Sequence, residues 1–526
     1  MRYGFVIDQN RCIGCHACTV ACKEEHSVPV GVFRTWVKYI EKGEFPNSSR
    51  HFGVMRCNHC EAAPCVEICP TVALYRRPDG IVDFDNSRCI GCKSCMQACP
   101  YDALYIDPNS NTAAKCNFCA HRVELNLEPA CVIVCPTRSI IAGDLDDSQS
   151  EIGRIVATQK VAVRKPNKGT EPKLFYVGIE GDFLQPTMME QQASHLWAER
   201  APQSNPHGLE HLRADAKPAP GTARVVYDVA HKQPWGLIPA FYLWTKSIAA
   251  GILIVAAILL TMLEPSIQRT AGPLLTVAAP IAALVFLAIT TILLIADLHR
   301  WDRFYFILTK PNWRSWLVRG TWILIAYGIL ALAWLACGWF LGGAIAAPLR
   351  WATAAAAASS ACYSAFLFAQ AKGRDLWQSP LFLWHLLVQA IGAGAAATIL
   401  LTAIAGLTQV MILPLGGREI VHAAEPLLLA AMVVNLLMVL GEVYLTPSSE
   451  EVRRAHEILT RGSLRSRFWY GVVLAGALIP MMLIAFSIWH GATDLALDQL
   501  AAALALLGAY IFDELWITAG QAVPLS

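Results

Sequence analysis

The sequence predicts a small α+β domain followed by an all-α membrane bundle of about eight transmembrane helices. Three observations carry this. Sixteen of the 18 cysteines fall between residues 12 and 135, in four quartets. Short stretches of alternating hydrophobicity, bounded by Gly, Pro and Asp, run between the quartets. From about Trp235 the texture turns apolar, which lifts the hydrophobic fraction of the 526-residue chain to 55 % and its mean hydropathy to +0.42. That is too apolar for a wholly soluble protein of this length. The net charge of +2 gives no sign of a nucleic-acid partner.

Residues 1–10 read as a strand leading into the first cysteine motif. No apolar or twin-arginine segment precedes that motif, so the first domain is expected to stay in the cytoplasm. The motif is Cys12-x2-Cys15-x2-Cys18-x3-Cys22, and it returns as Cys89-x2-Cys92-x2-Cys95-x3-Cys99-Pro100. Two looser versions are Cys57-x2-Cys60-x4-Cys65-x3-Cys69-Pro70 and Cys116-x2-Cys119-x11-Cys131-x3-Cys135-Pro136. Four thiolates at this spacing, on a loop and a short helix, wrap a cubane iron–sulfur cluster. Sulfide-bridged iron is soft and favours thiolate. The proline stops the short helix and turns the chain away, and glycine inside the motif lets backbone N–H groups approach sulfur. Zinc usually takes two C-x2-C pairs, disulfides need an oxidising compartment, and structural cysteine does not recur in four matched sets.

Four [4Fe-4S] clusters are therefore expected. In a two-cluster ferredoxin the fourth cysteine of each motif crosses to the other cluster. With the outer motifs paired and the inner motifs paired, the expected groups are Cys12, Cys15, Cys18 with Cys135; Cys116, Cys119, Cys131 with Cys22; Cys57, Cys60, Cys65 with Cys99; and Cys89, Cys92, Cys95 with Cys69. So many one-electron centres make a wire rather than a single reaction site. Cys337 and Cys362 stand alone in apolar runs and read as core or lipid-facing residues.

Ile81–Asp85 and Ala103–Asp107 read as small hairpin strands, 144–158 as an amphipathic helix and Lys173–Val177 as another strand. The cluster domain is expected to end near residue 180. Residues 181–235, rich in Pro, Gly, His and charge, read as a linker or an extended arm lying on it.

Residues 236–526 form the membrane domain. The expected spans are 236–262, 273–296, 316–342, 351–371, 381–406, 422–445, 468–490 and 496–519. An even number puts both ends on the side of the cluster domain. Twelve Lys and Arg flank the spans on that side, among them Arg300, Arg303, Lys310, Arg374 and Arg467, against Arg269, Arg350 and Arg418 opposite. The excess predicts a cell inner membrane with the cluster domain on its cytoplasmic face.

Ionisable residues within spans are costly and are functional candidates by default. Lys246, Asp297, His299, His385, Glu442, Asp513 and Glu514 fall here, with Gln389, Asn435 and Tyr444 nearby. Snorkelling to the interface is the competing reading for Asp297, His299, Asp513 and Glu514. His422, Glu425 and His490 lie at the far ends and read as interfacial. One-electron centres beside proton-carrying groups in a membrane suit a quinone, which takes two electrons and two protons and lives in the bilayer. Lys246, Asp297, His299, His385, Gln389, Glu442 and Tyr444 are the candidate quinone-binding residues, with menaquinone or ubiquinone as the ligand. The histidines do not form the facing pairs a haem would need, His299 and His385 coming nearest.

Both halves resemble known families. Residues 1 to about 180 look like the four-cluster ferredoxin-type subunit of molybdopterin oxidoreductases, on the cysteine motifs above. Residues 230–526 are similar to the NrfD/polysulfide-reductase membrane subunits. Here the match rests on Asp297-Leu-His-Arg300-Trp-Asp-Arg303-Phe, Lys310-Pro-Asn312-Trp-Arg-Ser315-Trp316, Gly320, Trp322, the run from Tyr242 to Gly251 and Ala519-Gly-Gln521. The resemblance implies a fusion of two usually separate subunits. It also implies a molybdenum or tungsten pterin partner that handles the substrate, so no catalytic residue is assigned in this chain. Electrons would then pass between that partner and a membrane quinone pool. The other readings are a redox-driven proton or ion translocator and a membrane anchor with no quinone site of its own.

Overall fold

A computed structural model of the protein describes residues 1–43, 46–191, 223–231, 233–263, 272–408, 416–491 and 495–526. Most of the expected linker, and Arg269, lie outside the described residues.

Two four-stranded sheets frame the first domain. Tyr3–Asp8 lies at the centre of one, antiparallel to Ile140–Asp144 and parallel to Leu174–Val177, with Phe5 opposite Leu174. Its buried side chains Phe5 and Ile7 pack among the cysteines, while Val6 faces Ile152 on the other side. This is the period-2 alternation of a strand with both faces covered. The helix expected over 144–158 begins only at Glu151. Pairing with Tyr3–Ile7 keeps 140–144 extended, and the helix starts where Ser150 Oγ accepts from Gly153 N at 3.0 Å.

The second sheet is built on a hairpin, Thr35–Lys42 with Ser49–Arg56. From the stretch expected as an arm, Glu190–Gln191 pairs parallel on the outer side of Arg224–Tyr227, the strand that joins this hairpin antiparallel to Thr35–Lys42. Beyond that strand His231 is wedged between Asp102, at 2.8 Å, and Asp228, at 3.5 Å, with Trp36 against its ring. Burial opposes its charge, but the two carboxylates outweigh burial and hold its pKa up at about 9, against an ordinary 6.5. The folded value is the higher one. The stabilisation from the charged ring is thus complete below pH 6.5 and is lost as pH rises through 9. Proteolytic sensitivity of the arm should therefore increase over that window, and the increase should vanish in His231→Gln.

Two short hairpins, Leu74–Arg76 with Val82–Phe84 and Leu104–Ile106 with Ala113–Lys115, follow the second and third cysteine motifs. Each of the first three cysteine motifs supplies one short helix: Ala17–Glu25, Pro64–Ile68 and Ser94–Ala98. The fourth supplies a second, Ala120–Val123, ahead of the one around Cys131, Ala130–Ile133.

Among the described residues, eight helices are long and apolar enough to cross a membrane: Ile238–Met262, Leu274–Ala296, Trp316–Phe340, Ala347–Gln370, Phe382–Ala405, Gly417–Tyr444, Arg467–His490 and Leu495–Ala522. We call them the first to eighth membrane helices. The first is almost wholly enclosed by the others. It meets the fifth where Gly251 and Gly394 bring the two backbones into contact, and a Cβ at either position would strike the other chain segment. A further amphipathic helix, Glu450–Thr460, joins the sixth and seventh and packs against the end of the eighth.

Candidate functional site

The structure gathers the motif cysteines into four groups. Cys12, Cys15, Cys18 and Cys135 line one cavity of about 310 Å³. Cys69, Cys89, Cys92 and Cys95 line another of about 380 Å³. Cys22 faces Cys116, Cys119 and Cys131, and Cys57, Cys60, Cys65 and Cys99 face one another. The groups follow in line. Cys18 neighbours Cys131, Cys57 neighbours Cys116, and Cys65 neighbours Cys95. At one end of the line Cys15 is exposed.

Among the described residues no three donor side chains converge tightly enough for a single metal ion. Two of the groups line open spaces between their thiols, whereas zinc draws its ligands in to a metal–sulfur distance of about 2.3 Å. Burial, and the neighbouring Cys69, push the Cys92 thiol up to about 12. A bound cation is what makes such thiols ionise. The buried guanidinium of Arg56 is the sharper test. It donates to Cys131 Sγ at 3.1 Å, yet its Nε and Nη2 find no hydrogen-bond partner among the described residues. Cys116 and Cys18 stand close by. A buried cation with unpaired donors needs an anion, and an iron–sulfur cluster held by thiolates is one. Backbone N–H groups aimed at sulfur fit the same occupant: Ser139 N on Cys135 at 3.2 Å, and Gly91 N and Ala113 N on Cys89 at 3.4 Å. Arg56→Leu removes positive charge from two cluster groups, so their reduction potentials should fall, as read by a redox titration.

The other end of the line is clasped by the membrane domain. The loop after the second membrane helix lies along the Cys89–Lys93 loop. Asp297 pairs with Lys93 at 2.8 Å, His299 N donates to Gly91 O, Arg300 N donates to Ile90 O at 3.1 Å, and Arg303 donates to Cys89 O. The next loop caps the Cys65 helix. Asn312 Nδ2 donates to Cys69 O at 2.8 Å, and Ser315 Oγ donates to Ile68 O at 2.7 Å. Trp235 Nε1 donates to Cys92 O at 3.4 Å. The C-terminal segment completes the seam: Gln97 donates to Gln521 Oε1 at 2.6 Å, and Arg374 reaches Gln97 Oε1, Gln521 O and Val523 O at 2.9–3.2 Å. Burial pushes the Asp297 carboxyl up, against the pull of Lys93.

The candidate quinone residues therefore divide. Asp297 and His299 are engaged in holding the cysteine loop. Lys246 is fully buried in the first membrane helix, donating to Ala361 O and Ser364 and lying over the Tyr363 and Tyr242 rings at 4.6 and 5.1 Å. His385 and Gln389 sit buried on the fifth helix, and Gln389 Nε2 donates to Asp513 Oδ2 at 2.9 Å. Glu442 neighbours Ser379, and Tyr444 points outward, 69 % exposed. Glu514 pairs with Arg467. Glu425 is turned into the bundle beside Asp498 and His422 rather than lying at an exposed interface. Gln521 Nε2 also donates to Trp235 O at 2.9 Å. Gln521 belongs to the terminal stretch on which the resemblance rests, whereas the Trp235 carbonyl carries no ionisable group and nothing in the sequence pattern marks it for a role.

Comparison with known proteins agrees with this division into two halves. Residues 226–524 match the family "Polysulphide reductase, NrfD". Residues 11–74 and 50–145 match "4Fe-4S dicluster domain" families. A tetrathionate reductase subunit of Salmonella typhimurium is 45 % identical over 202 residues, covering 38 % of this chain and 80 % of that protein. A polysulfide reductase subunit of Wolinella succinogenes is 43 % identical over 181 residues, covering 34 % and 94 %. Protein NrfC of Escherichia coli is 43 % identical over 180 residues, covering 34 % and 81 %. With more than half of its length matched, with iron–sulfur domains ahead of that match and with eight apolar helices, the chain belongs to the polysulphide reductase NrfD family: it is a multi-pass membrane protein in which an iron–sulfur electron-transfer unit is fused to an NrfD membrane subunit.

Proposed function

We propose that this chain conducts electrons between a molybdopterin catalytic partner and a membrane quinone pool through four [4Fe-4S] clusters. The ligand groups are those described: Cys12, Cys15, Cys18, Cys135; Cys22, Cys116, Cys119, Cys131; Cys57, Cys60, Cys65, Cys99; and Cys69, Cys89, Cys92, Cys95. The single observation that carries the reading is their order, a line with an exposed end at Cys15 and an end at Cys92 clasped by the membrane helices. The catalytic partner docks at the first end, since relatives of the cluster unit are named as subunits of tetrathionate and polysulfide reductases. Quinone takes the second. A quinol there gives up two electrons, one at a time, to the clusters, and two protons to buried groups of the bundle; the reverse flow reduces a quinone. The proposed domain limits are 1–180 for the cluster unit, 181–235 for the arm and 236–526 for the membrane unit. The Lys and Arg asymmetry favours a cluster unit on the cytoplasmic face of the inner membrane.

The test is single-turnover oxidation of dithionite-reduced, full-length protein in liposomes by a short-chain quinone. Reoxidation of the clusters, followed by their absorbance, is expected to be complete. Clusters that stay reduced would leave an anchor without a quinone site.

One observation favours proton translocation as an added role. Glu425 and Asp498, both 1 % exposed, share a hydrogen bond near the helix ends opposite the cluster unit. Turnover in sealed vesicles should then change the internal pH; the absence of any change would remove this reading.

A further inference from the structure

The loop that joins the second membrane helix to the third has two faces. The inner face is spent on the cluster unit, through Asp297, the His299 and Arg300 amides, Arg303 and Asn312. The outer face is open. Trp301 is 66 % exposed and Trp313 56 %, and Phe304, Tyr305 and Leu308 stand out with them. Large apolar side chains gathered like this on one short loop mark a contact with a membrane or another molecule. The loop hangs from the ends of two helices whose own flanks are mostly uncovered by protein. Its apolar side therefore continues a surface that faces acyl chains. Tryptophan and tyrosine are the side chains favoured at the boundary between headgroups and chains. Trp313 stacks on Trp322 of the third helix, 6.0 Å between ring centres, and so carries the one surface into the other.

A second observation is electrostatic. Arg300 and Arg303 pair with Asp302. Lys310, Arg314 and Arg319 are exposed and form no ion pair among the described residues. The neighbours of two of them are rings and a carbonyl. Lys310 Nζ lies 4.3 Å from the centre of the Phe306 ring, and the Arg319 guanidinium lies 4.9 Å from that of Trp316, with its Nε donating to Trp313 O at 2.7 Å. The two arginines also stand at the wrong end of a helix. Trp316–Phe340 has no acidic residue in its first turn; instead Arg314 precedes its cap, Ser315, and Arg319 follows within one turn. Positive charge at the positive end of a helix dipole is unfavourable until an anion joins it. One short stretch thus lacks both an apolar cover and an anion. A phospholipid with a negatively charged headgroup supplies both.

We propose that the outer face of residues 301–319 seats anionic phospholipid of the leaflet on the cluster side. Lys310, Arg314 and Arg319 take the headgroup phosphate, and Trp301, Phe304, Tyr305, Leu308 and Trp313 enter the edge of the acyl layer. The inner face of the same loop grips Cys89, Ile90 and Gly91. The lipid therefore steadies the segment that carries the last cysteine group. This seat does not depend on which carrier exchanges electrons with the clusters.

The experiment compares full-length, cluster-loaded protein in nanodiscs of phosphatidylcholine alone and with phosphatidylglycerol added. Native mass spectrometry after release is expected to show phosphatidylglycerol retained on the protein. The triple variant Lys310→Gln, Arg314→Gln, Arg319→Gln should hold it about a hundredfold more weakly, at roughly fivefold for each cation beside an anionic headgroup. Arg461→Gln with Arg465→Gln, exposed cations on another loop of the same side, should leave retention unchanged. Excess inorganic phosphate should not displace the lipid. The amides of His299, Arg300 and Asn312 donate to Gly91 O, Ile90 O and Pro70 O. Their hydrogen exchange should slow when phosphatidylglycerol is present, in the unaltered protein and not in the triple variant. Equal retention by the triple variant and the unaltered protein, an equal loss in the Arg461 and Arg465 pair, or displacement by phosphate alone would overturn the seat. Exchange that is the same in both bilayers would overturn its hold on the cysteine segment.

Discussion

Replacing Cys92 with alanine is expected to abolish electron exchange with quinone while the three other clusters still reduce with dithionite. Cys92 lies in the group against the membrane helices, and its carbonyl is held by Trp235. Iron content should fall by about one quarter, or less if a three-iron remnant is retained on the other thiolates. The matching change at the exposed end, Cys15→Ala, has the opposite signature. Quinone should still exchange electrons with the clusters that remain, and exchange with a catalytic partner should fail. In a linear conductor each end serves one partner, so the two variants separate the two exchanges. A branched or collapsed arrangement would lose both exchanges in either variant.

Arg374→Leu is the change expected to cost most stability. The guanidinium is 7 % exposed and donates to Gln97 on the cluster unit and to the Gln521 and Val523 carbonyls on the membrane unit. Its loss leaves three buried acceptors short of a donor at the seam. The expected cost is about 3–5 kcal/mol, read as a shift of the unfolding transition in SDS-titrated mixed micelles. Arg374→Lys keeps the charge and loses the planar fork, so it should fall between. The cluster unit should also become more sensitive to protease in Arg374→Leu, because only the bonds from Gln97 to Gln521 and from Gly373 N to Gln97 O then tie Gln97 across the seam.

Much of this is legible in the sequence. Cysteine spacing is a direct record of ligand geometry, so the motifs announce the clusters before any fold is known. Apolar length is a direct record of bilayer thickness, and all eight spans appear with ends shifted by only a few residues. The hairpin Thr35–Arg56 escapes the pattern because half of it is buried on both faces. Trp36, Val37, Val54 and Met55 give no clean alternation there. The start of the helix at Glu151 is hidden because 140–144 is claimed by a strand pairing with residues 3–7, a long-range contact that local pattern does not carry.

The polar residues of the membrane half show where depth alone is a poor guide. Asp297 and His299 carry charge and a titratable ring, and both belong to the Asp297–Phe304 stretch on which the family resemblance rests. In the fold they grip the cysteine loop. Asn312 and Ser315, which are neutral, do as much there, closing bonds to Cys69 O and Ile68 O. Asn435 carries no charge either, but it faces a cavity with an oxygen left over. Whether a polar side chain is spent or free depends on partners from other helices, and those are set by packing that sequence spacing does not reveal.

An iron-edge anomalous map of the purified full-length protein should show four compact iron peaks in a row, the first beside exposed Cys15 and the last between the Cys89–Cys95 loop and Cys69, next to Trp235. Fewer peaks, or an iron-free space at Cys69, Cys89, Cys92 and Cys95, would contradict a four-cluster wire that ends against the membrane helices.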